Sequence, residues 1–577
     1  MAGVFVANEI PSDLVRWMRP VRVRAALESL IHLGKESQPD WIWAYANYPG
    51  TEFLEPENAD LTAMNVYLED ETTFRAYLKR LQHIAGDRPL LISEFGLDTE
   101  RNGLAGQADT LQWGIRACHD LHAAGISIYA WSDRWWNQSR EILDWSFGLT
   151  DRENKAKPAY DTVQKTFSEI ERTTEKREKE MKAVASVSVI VCTRNGRQRV
   201  GACLDALAVL RGSKPEVIVV DDGSMDGTAD FVETFYPQVT CLRLEPSGLS
   251  AARNTGARAA SGKWLAFTDD DCRPNPEWLG QLAENFEAGW TALGGPNLPP
   301  LPASAIAAVI AAAPGAASHV MLDDEEAEHL PGCNLVVTAE AFQHIGGFDP
   351  DFHTAGDDVD FCWRLRDAGY RLGFVPSAFV WHHRRSTLVA YLRQQAGYGR
   401  AEAILMKKHP SRFSSSGDAC WHGTIYSGAP VRISGAATIY HGPMGLAGYQ
   451  GVISRMQPQR GLDARFRSFW TRALVMILHW LAPRLRAKAR TGRFFDFRAI
   501  FRAQGNRISK KTRKSEACRR YEWKIWTDKS RDLFLQEMID AGWSPATDTD
   551  HWDLERNGIH LLVAAEHGEQ GAKCLLV

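Results

Sequence analysis

The most constraining feature of the chain is an apolar segment that runs directly into three consecutive carboxylates. Lys263–Phe267 has the composition of a buried strand, and Asp269, Asp270 and Asp271 follow it after a single threonine. Carboxylates packed this closely repel one another, so they are usually kept where a cation neutralises them. Mg²⁺ and Mn²⁺ prefer oxygen ligands and are commonly held by one or two carboxylates together with substrate phosphates. The cluster therefore indicates a divalent metal that bridges to a diphosphate, the alternative being a solvated acidic turn.

Length and composition limit what surrounds this cluster. A chain of 577 residues is too long for one hydrophobic core, so roughly three or four domains are expected. The net charge of −4 argues against nucleic acid as the main partner. Ten cysteines are scattered without a C-x-x-C motif, which predicts reduced thiols and a cytoplasmic location. No apolar run reaches 18 residues, so no membrane-spanning helix is predicted.

Local composition divides the chain into four segments. Residues 1–167 alternate apolar strand-like runs with helical patterns, which predicts βαβ units and a parallel sheet. Residues 168–185 are charged and poor in apolar side chains, and we interpret them as a linker or a solvated helix. Residues 186–410 are again α/β. Residues 411–577 open with a Gly/Ser-rich part, continue as a basic helical stretch and close with a small α+β tail.

Polar residues follow two further apolar strands of the central segment. Val187–Val191 is followed by Thr193 and Asn195, and Val217–Val220 is followed by Asp222. Because ligands of open α/β sheets bind beyond the carboxyl ends of the strands, both strand ends are expected to face one crevice. Asp222 is expected there to accept a hydrogen bond from a ribose or a base. Its alternative role is that of a helix N-cap or turn residue.

A fourth segment, Gly248–Gly256, completes the pattern of the central region. It contains Arg253, which is expected to reach a phosphate, and Asn254, which is expected to bond the nucleotide. The order of the four segments resembles the family 2 glycosyltransferases of the GT-A fold, and the resemblance spans roughly residues 186–410. It implies a nucleotide-sugar site, most simply for a UDP-sugar, formed by Thr193, Asn195, Asp222, Arg253, Asn254, Asp269 and Asp270. It also implies that Mn²⁺ or Mg²⁺ is held by Asp269, Asp271 and His383.

The acceptor side is predicted near a second acidic motif. Gly356-Asp357-Asp358 resembles the Gly-Glu-Asp motif of that family, whose second acid is the catalytic base. Asp358 is therefore the predicted base, with Asp357 beside it. An acceptor hydroxyl needs such a base because it must lose its proton as it attacks the anomeric carbon. The family inverts that carbon. The two acids also suit the N-terminus of a helix, and both interpretations can hold together.

Two glutamates suggest a different chemistry in residues 1–167. Glu9 and Glu94 each stand at the end of an apolar strand-like run, as the two carboxylic acids of a retaining glycosidase would. They are about 85 residues apart, which corresponds to three βα units of about 30 residues. The segment resembles a clan A glycoside hydrolase, a (β/α)₈ barrel. The resemblance makes Glu9 the acid/base and Glu94 the nucleophile, with Tyr67 orienting the nucleophile and Trp131 flooring the sugar site. The alternative is two unrelated acids.

This resemblance places Glu9 on the fourth strand of a barrel, so strands one to three are expected to be missing. Five strands cannot close an eight-stranded barrel. Three explanations stay open: the natural start lies upstream, the segment is a relic that relies on the transferase, or another chain supplies the missing part.

The basic stretch Arg460–Lys514 has two interpretations. It carries Phe469, Trp470 and Trp480 among many cations, which suits peripheral contact with the anionic inner face of a membrane. An ordinary solvated helix pair is the alternative.

Together these patterns predict an α/β protein with a partial (β/α)₈ barrel, a GT-A (Rossmann-like) domain and a small α+β C-terminal region. The predicted function is inverting, metal-dependent transfer of a sugar from a UDP-sugar to a glycan or lipid-linked acceptor in polysaccharide or cell-surface glycan synthesis. A retaining glycoside hydrolase or a glycan-binding protein that uses the barrel segment is the alternative.

Overall fold

The computed structural model describes residues 3–181 apart from 50, 138, 139 and 144, and residues 186–425 apart from 213, 287, 324 and 415–418. Further on it describes 441–442, 445–446, 462–491, 524–526, 531–545, 554–556, 559–561, 563–567 and 573–576. Most of the Gly/Ser-rich part and much of the basic stretch 460–514 therefore lie outside the described residues. The chain divides into two compact units: Met1–Ile170 with Gly435–Met456 and Ser509–Val577, and Glu171–Ser434 with Gln457–Ile508.

The first unit contains a five-stranded parallel sheet whose strands are adjacent in chain order. Its strands are β1 Gly3–Asn8, β2 Ile42–Asn47, β3 Thr62–Asn65, β4 Leu90–Phe95 and β5 Gly125–Ile128. The helices are α1 Ser12–Met18, α2 Pro20–Ser37, α3 Glu71–Ala85, α4 Thr99–Asp120 and α5 Pro158–Met181, and a hairpin is formed by β6 Trp135–Asn137 and β7 Arg140–Ile142. The predicted alternation of parallel strands and helices is confirmed, whereas closure into a partial barrel stays a prediction.

The five-stranded sheet has its own hydrophobic core. Phe74 of α3 lies 4.8 Å from Phe95 of β4, and both rings contact Trp113 of α4. A Cβ at Gly114 would overlap the Phe95 ring, so glycine lets α4 approach the sheet closely. Asp70 begins α3 as its N-cap, accepting from the Thr73 N–H at 2.8 Å.

The second unit is built on a ten-stranded mixed sheet with the order β10-β9-β8-β11-β17-β13-β18-β16-β15-β20. The strands up to the three-stranded side sheet are β8 Val187–Thr193, β9 Glu216–Asp222, β10 Thr240–Leu244, β11 Trp264–Asp269, β12 Cys272–Pro274, β13 Ala292–Gly294 and β14 Asn297–Leu298. The later strands are β15 Val320–Met321, β16 Glu326–His329, β17 Leu335–Thr338, β18 Leu372–Phe374, β19 Val380–His382 and β20 Thr424–Ile425. The side sheet has the order β12-β19-β14.

Helices accompany these strands along the second unit. They are α6 Val200–Ala208, α7 Thr228–Phe235, α8 Leu249–Ala259, α9 Trp278–Ala283, α10 Ala305–Ala312, α11 Ala339–His344, α12 Asp357–Asp367, α13 Leu388–Lys408 and α14 Phe469–Thr491. Single 3₁₀ turns stand at Glu52–Leu54, Pro410–Arg412 and Ala464–Phe466.

Both faces of the ten-stranded sheet are buried, as the unbroken apolar runs of the strands predict. Along β8, Val189 and Val191 belong to one hydrophobic cluster, while Ile190 and Cys192 belong to another. The strands predicted at 187–191, 217–220 and 263–267 are confirmed as β8, β9 and β11.

The described part of the C-terminal region is small and mixed. Its elements are the pair β21 His441–Gly442 and β22 Gly445–Leu446, then β23 Lys524–Trp526, α15 Arg531–Asp540, β24 Ser544–Pro545, β25 Leu554–Arg556, β26 Ile559–Leu561, β27 Ala564–His567 and β28 Lys573–Leu576. They form two three-stranded antiparallel sheets, β23-β28-β27 and β24-β25-β26, besides the β21–β22 pair.

Candidate active site

Three neighbouring parallel strands end at the same edge of the ten-stranded sheet. β9, β8 and β11 lie side by side, with Thr193 opposite Asp221 and Asp269 opposite Cys192. Because the strands are parallel, their polar carboxyl ends open into one crevice. The structure thus brings the residues after β8 and β9 next to the acidic cluster after β11.

The middle acid of that cluster, Asp270, is tied into the sheet edge. Thr193 Oγ1 donates to Asp270 Oδ2 at 2.7 Å, and Arg199 donates from Nε at 3.2 Å and Nη2 at 2.8 Å. Burial raises the pKa of Asp270, and the neighbouring charge of Asp271 raises it further. Thr193 and Asp270 therefore contact each other. This pair fixes the loop that carries Asp269 and Asp271.

Asp222 and Asn195 organise the turns that follow β9 and β8. Asp222 Oδ1 accepts from the backbone N–H groups of Ser247 at 2.6 Å and Gly248 at 3.1 Å, where α8 begins. Asn195 has a left-handed φ of 49°, and its Oδ1 accepts from the Met225 N–H at 2.9 Å. Asp222 thus takes the turn role that the sequence left open for it. A nucleotide contact from either residue stays a prediction.

Arg253 joins the two acidic motifs of the second unit. It is buried on α8, where Nη1 donates to Asp357 Oδ2 at 2.5 Å and Nη2 donates to Asp269 Oδ1 at 3.0 Å. Burial opposes its charge, but the two carboxylates outweigh that effect, so the pKa of Arg253 lies above its ordinary value. Gly332 makes room for the guanidinium, since a Cβ there would lie 2.5 Å from Nη1. The guanidinium is thus occupied by carboxylates, and the phosphate contact stays a prediction.

Asn254, the next residue of α8, is also engaged within the protein. Its Nδ2 donates to the Phe348 carbonyl at 2.7 Å, and its Oδ1 accepts from the Phe348 N–H at 2.9 Å. Both ends of the amide therefore hold the turn before α12. A nucleotide contact from Asn254 would have to replace or share one of these bonds.

Asp269, Asp271 and His382 form a group that fits a divalent cation. One ligand atom from each lies within 4.8 Å of the others. Asp271 Oδ1 is buried without a hydrogen-bond partner among the described residues, and His382 Nε2 lies 3.4 Å from it. Carboxylate oxygens are the ligands that Mg²⁺ and Mn²⁺ prefer. A buried carboxylate oxygen left without a partner is what a bound cation would satisfy.

The histidine of this group is His382, whereas the sequence favoured His383. β19 pairs antiparallel with β12 and places His382 opposite Cys272. Successive side chains along an extended strand point to opposite faces, which separates the two rings. His383 donates its backbone N–H to the Asp271 carbonyl at 2.9 Å, and its ring Nε2 is buried with no hydrogen-bond partner in the described chain. Its predicted role as a metal ligand is not tested by this geometry.

A cleft of about 220 Å³ opens beside Asp271. Arg385 reaches into its wall, and Nη1 donates to Asp271 Oδ2 at 3.1 Å. The remaining wall includes His382, Gln394 and Tyr398. The cleft therefore joins a partly exposed cation to the acidic loop, a combination that suits a phosphate next to a metal. Arg199, His329 and Arg385 were not singled out as site residues in the sequence beyond a phosphate role for one arginine near 384–385.

Asp357 and Asp358 occupy the first turn of α12 and differ in accessibility. Asp357 is buried against Arg253, and burial raises its pKa to about 6. Asp358 is 23% exposed and accepts from the Gly332 N–H at 3.0 Å. His329 Nε2 lies 3.7 Å from Asp358 Oδ2. Burial opposes its ionisation, but His329, Gly332 and Arg253 outweigh that effect and hold the pKa of Asp358 below its usual range. Asp358 is thus the acid of the pair that an acceptor can reach.

The first unit contains a second group of acids. Tyr67 donates to Glu94 Oε2 at 2.6 Å, and Asn65 Nδ2 donates to Glu9 Oε1 at 2.9 Å. Ser93 Oγ donates to Asn65 Oδ1 at 2.6 Å. Burial raises the pKa of Glu94, and the charge of Glu9 raises it further. Glu9 follows β1 and Glu94 lies in β4, so the structure brings them together across the three strand intervals that their spacing predicts.

Two family models match the second unit. Glycosyl transferase family 2 matches residues 188–299, and glycosyl transferase family group 2 matches residues 264–482. Among curated proteins, the pre-mycofactocin glycosyltransferase of Mycobacterium tuberculosis is 32% identical over 234 residues, 39% of this chain and 48% of that one. Glycosyltransferase AglE of Haloferax volcanii is 31% identical over 208 residues, 34% of this chain and 67% of that one. The chain thus spans about half the length of the first of these relatives.

Solved structures give a weaker likeness. The mannosyltransferase PcManGT of Pyrobaculum calidifontis, solved with GDP-Man and Mn²⁺, is 18% identical over 58% of this chain and 86% of that one, with a TM-score of 0.31. A likeness of that size supports no conclusion about ligands.

Proposed function

The chain belongs to glycosyl transferase family 2, and from that premise we propose that its second unit transfers a sugar from a nucleotide-diphosphate donor, probed first as UDP-sugars. The carrying observation is the Arg253 bridge, which holds the acidic loop Asp269–Asp271 and the acids that begin α12 around one crevice. The GT-A fold predicted for residues 186–410 is part of the same proposal, and the family match within residues 188–482 supports it.

In the proposed reaction Asp358 accepts the proton of an acceptor hydroxyl. The oxygen forms its bond to the anomeric carbon as the bond from that carbon to the donor phosphate breaks, which inverts the configuration. Asp358 suits this role because it is ionised at neutral pH and is the accessible member of the pair. Asp357 stays paired with Arg253 and keeps the start of α12 in place.

The donor diphosphate is proposed to lie between the acidic loop and Arg385. Asp269, Asp271 and a histidine, His382 or His383, would hold Mn²⁺ or Mg²⁺, which when bound offsets negative charge on the leaving diphosphate. Arg385 adds a cation on the same side, because its guanidinium already contacts Asp271. The turns organised by Asn195 and Asp222 are the proposed nucleoside subsite.

The experiment that tests this function measures nucleoside-diphosphate release from a panel of UDP- and GDP-sugars, with Mn²⁺, Mg²⁺ or EDTA. We expect metal-dependent turnover of one donor and a loss of about 10²–10⁴-fold in Asp358→Asn, the usual contribution of a general base. Asp351→Asn is the matched control, because Asp351 is an exposed acid of the same loop that pairs with Lys408. Full activity in Asp358→Asn would remove Asp358 from the reaction.

The acceptor is proposed to be a glycan or a lipid-linked sugar, in polysaccharide or cell-surface glycan synthesis. We place the reaction in the cytoplasm, and the thiols support this, since eight cysteines of the described chain are free. Product analysis with reducing-end-labelled oligosaccharides and with a polyprenyl-phosphate sugar separates the two acceptor classes.

A second candidate function belongs to the first unit, because Glu9 and Glu94 meet there through Asn65 and Tyr67. We propose retaining glycoside hydrolysis, with Glu94 as nucleophile and Glu9 as acid/base. Release of nitrophenol from a panel of aryl glycosides tests it. Glu94→Gln should abolish the activity, whereas Glu69→Gln, an exposed acid near by in the chain, should not. Binding of oligosaccharides without cleavage would favour a glycan-binding role instead.

A further inference from the structure

α14 is apolar on the side that faces the protein and also on the side that faces solvent. Leu478 and Ala482 are buried in a cluster that includes Val309 and Ile310 of α10 and Tyr391 of α13. This contact accounts for one face of the helix. It leaves unexplained the large apolar side chains on the opposite face, since a solvated helix face is normally polar.

Five large apolar residues of α14 stand on its outer side. They are between 51% and 78% exposed: Phe469, Trp470, Met476, Ile477 and Trp480. Phe469, Met476 and Trp480 follow an i, i+7, i+11 spacing, and Trp470 and Ile477 follow an i, i+7 spacing, so they form two adjacent rows on one surface. We name these five residues the outer apolar face. Contiguous exposed apolar patches of this kind mark interaction surfaces.

The charges around the outer apolar face are almost all positive. Residues 462–491 contain seven Arg and Lys but only one acid, Asp463, which pairs with Arg465. Arg484 stacks over the Trp480 ring at 4.1 Å. Tryptophan beside arginine suits the boundary between water and lipid, where the ring enters the headgroup layer and the cation meets phosphate.

Two simpler occupants fit less well. Among the described residues no helix is long and apolar enough to cross a bilayer, so α14 is not a membrane span. A second copy of the chain would have to bring together two strongly basic helices, which repel. An anionic lipid surface satisfies both the apolar rows and the cations.

We propose that the outer apolar face of α14 docks the protein on an anionic membrane surface, with the helix lying in the plane of the interface. Phe469, Trp470, Met476, Ile477 and Trp480 enter the headgroup layer, and the flanking arginines and lysines contact lipid phosphates. The inner face stays packed on α10 and α13, so docking needs no opening of the core. This inference does not depend on the identity of the donor or acceptor.

The test is co-sedimentation of the full chain with vesicles of phosphatidylcholine alone or with 30% phosphatidylglycerol, about the anionic content of a charged leaflet. We expect binding to the anionic vesicles that weakens in high salt because the cations are screened. Trp470→Glu combined with Met476→Glu should lower the partition coefficient at least about tenfold, as a charge in the interface is costly. Phe235→Glu, an exposed aromatic position on α7, is the matched control and should bind like the native chain.

Two results would overturn the proposal. One is no binding of the native chain to anionic vesicles at low salt. The other is equal binding of the native chain and the double variant. Circular dichroism of both glutamate variants establishes that they fold, so that loss of binding is not loss of structure. Light scattering after gel filtration adds a further decisive outcome: a dimer that the double variant abolishes would assign this face to a second copy of the chain.

Discussion

At the scale of single residues, Arg253 carries the largest structural burden of the candidate site. Its guanidinium is buried, and it neutralises Asp269 of the acidic loop and Asp357 of α12 at the same time. Removing one partner of a buried ion pair leaves the other charge uncompensated, which is far more costly than removing a pair at the surface. The two motifs that the sequence treats separately are therefore mechanically one unit.

Arg253→Met should consequently destabilise the second unit. We expect a loss of about 3–5 kcal/mol, because two buried carboxylates lose their counter-charge. Urea denaturation followed by circular dichroism measures it. Arg243→Met is the control, because Arg243 forms ion pairs with Asp230 and Glu233 on the exposed surface, and its midpoint should hardly move. Equal midpoints in the two variants would contradict the bridging role.

The ionisation of Asp357 sets a pH dependence for the transferase. Burial raises the pKa of Asp357 to about 6, so above that pH it is charged and paired with Arg253, and below it the pair loses a charge. We expect kcat/KM for the donor to fall as the pH drops through about 6. Asp357→Asn mimics the protonated form, so its activity should be low and level between pH 5 and 7. A native profile that is flat over this interval would rule out the assignment.

At the scale of helices and strands, α13 brings Gln394 and Tyr398 to the wall of the cleft. Its start is fixed by Thr387, whose Oγ1 accepts from the Ala390 N–H at 3.2 Å. A hydroxyl at this position satisfies one of the backbone donors that every helix leaves open at its N-terminus. The packing of α14 against α13 then depends on a correctly started helix.

Thr387→Ala should therefore lower the stability of the second unit by about 1 kcal/mol, the typical effect of losing an N-cap. Thr387→Ser keeps a hydroxyl oxygen and should restore most of that loss. The measurement is the shift of the thermal unfolding midpoint of both variants against the native chain. If alanine and serine behave alike, the cap contributes nothing measurable.

The same scale explains what the sequence could and could not reveal. The strands β8, β9 and β11 were predictable because each is an unbroken apolar run bounded by polar residues. The acids after them were predictable as a group, since parallel strands end at one edge. The partners of those acids were not, because Thr193 and Arg199 meet Asp270 from more than 70 positions away in the chain.

The choice between His382 and His383 shows the limit most clearly. Both stand next to each other in the sequence, and nothing local distinguishes them. The register of β19 against β12 decides which ring meets the carboxylates, and that register follows from packing across the side sheet. His329 was equally hidden, because its position beside Asp358 depends on the return of β16 through the middle of the large sheet.

At the scale of the whole molecule, the chain combines two units that each have a hydrophobic core and a group of strand-end acids. The core of the first unit is formed around Phe74 and Phe95, and the second unit has clusters on both faces of its own sheet. A unit with its own core can support its own site. The proposed hydrolase and transferase activities are then expected to be separable by single substitutions.

This separability gives the last prediction. Glu94→Gln should abolish aryl-glycoside cleavage while donor turnover stays within about twofold, and Asp358→Asn should do the reverse, since sites that share no partners behave additively. The double variant should lose both activities without further loss of stability in denaturation. Donor turnover that falls tenfold or more in a folded Glu94→Gln variant would show that the two sites are energetically coupled. It would then place the first unit within the transferase reaction rather than beside it.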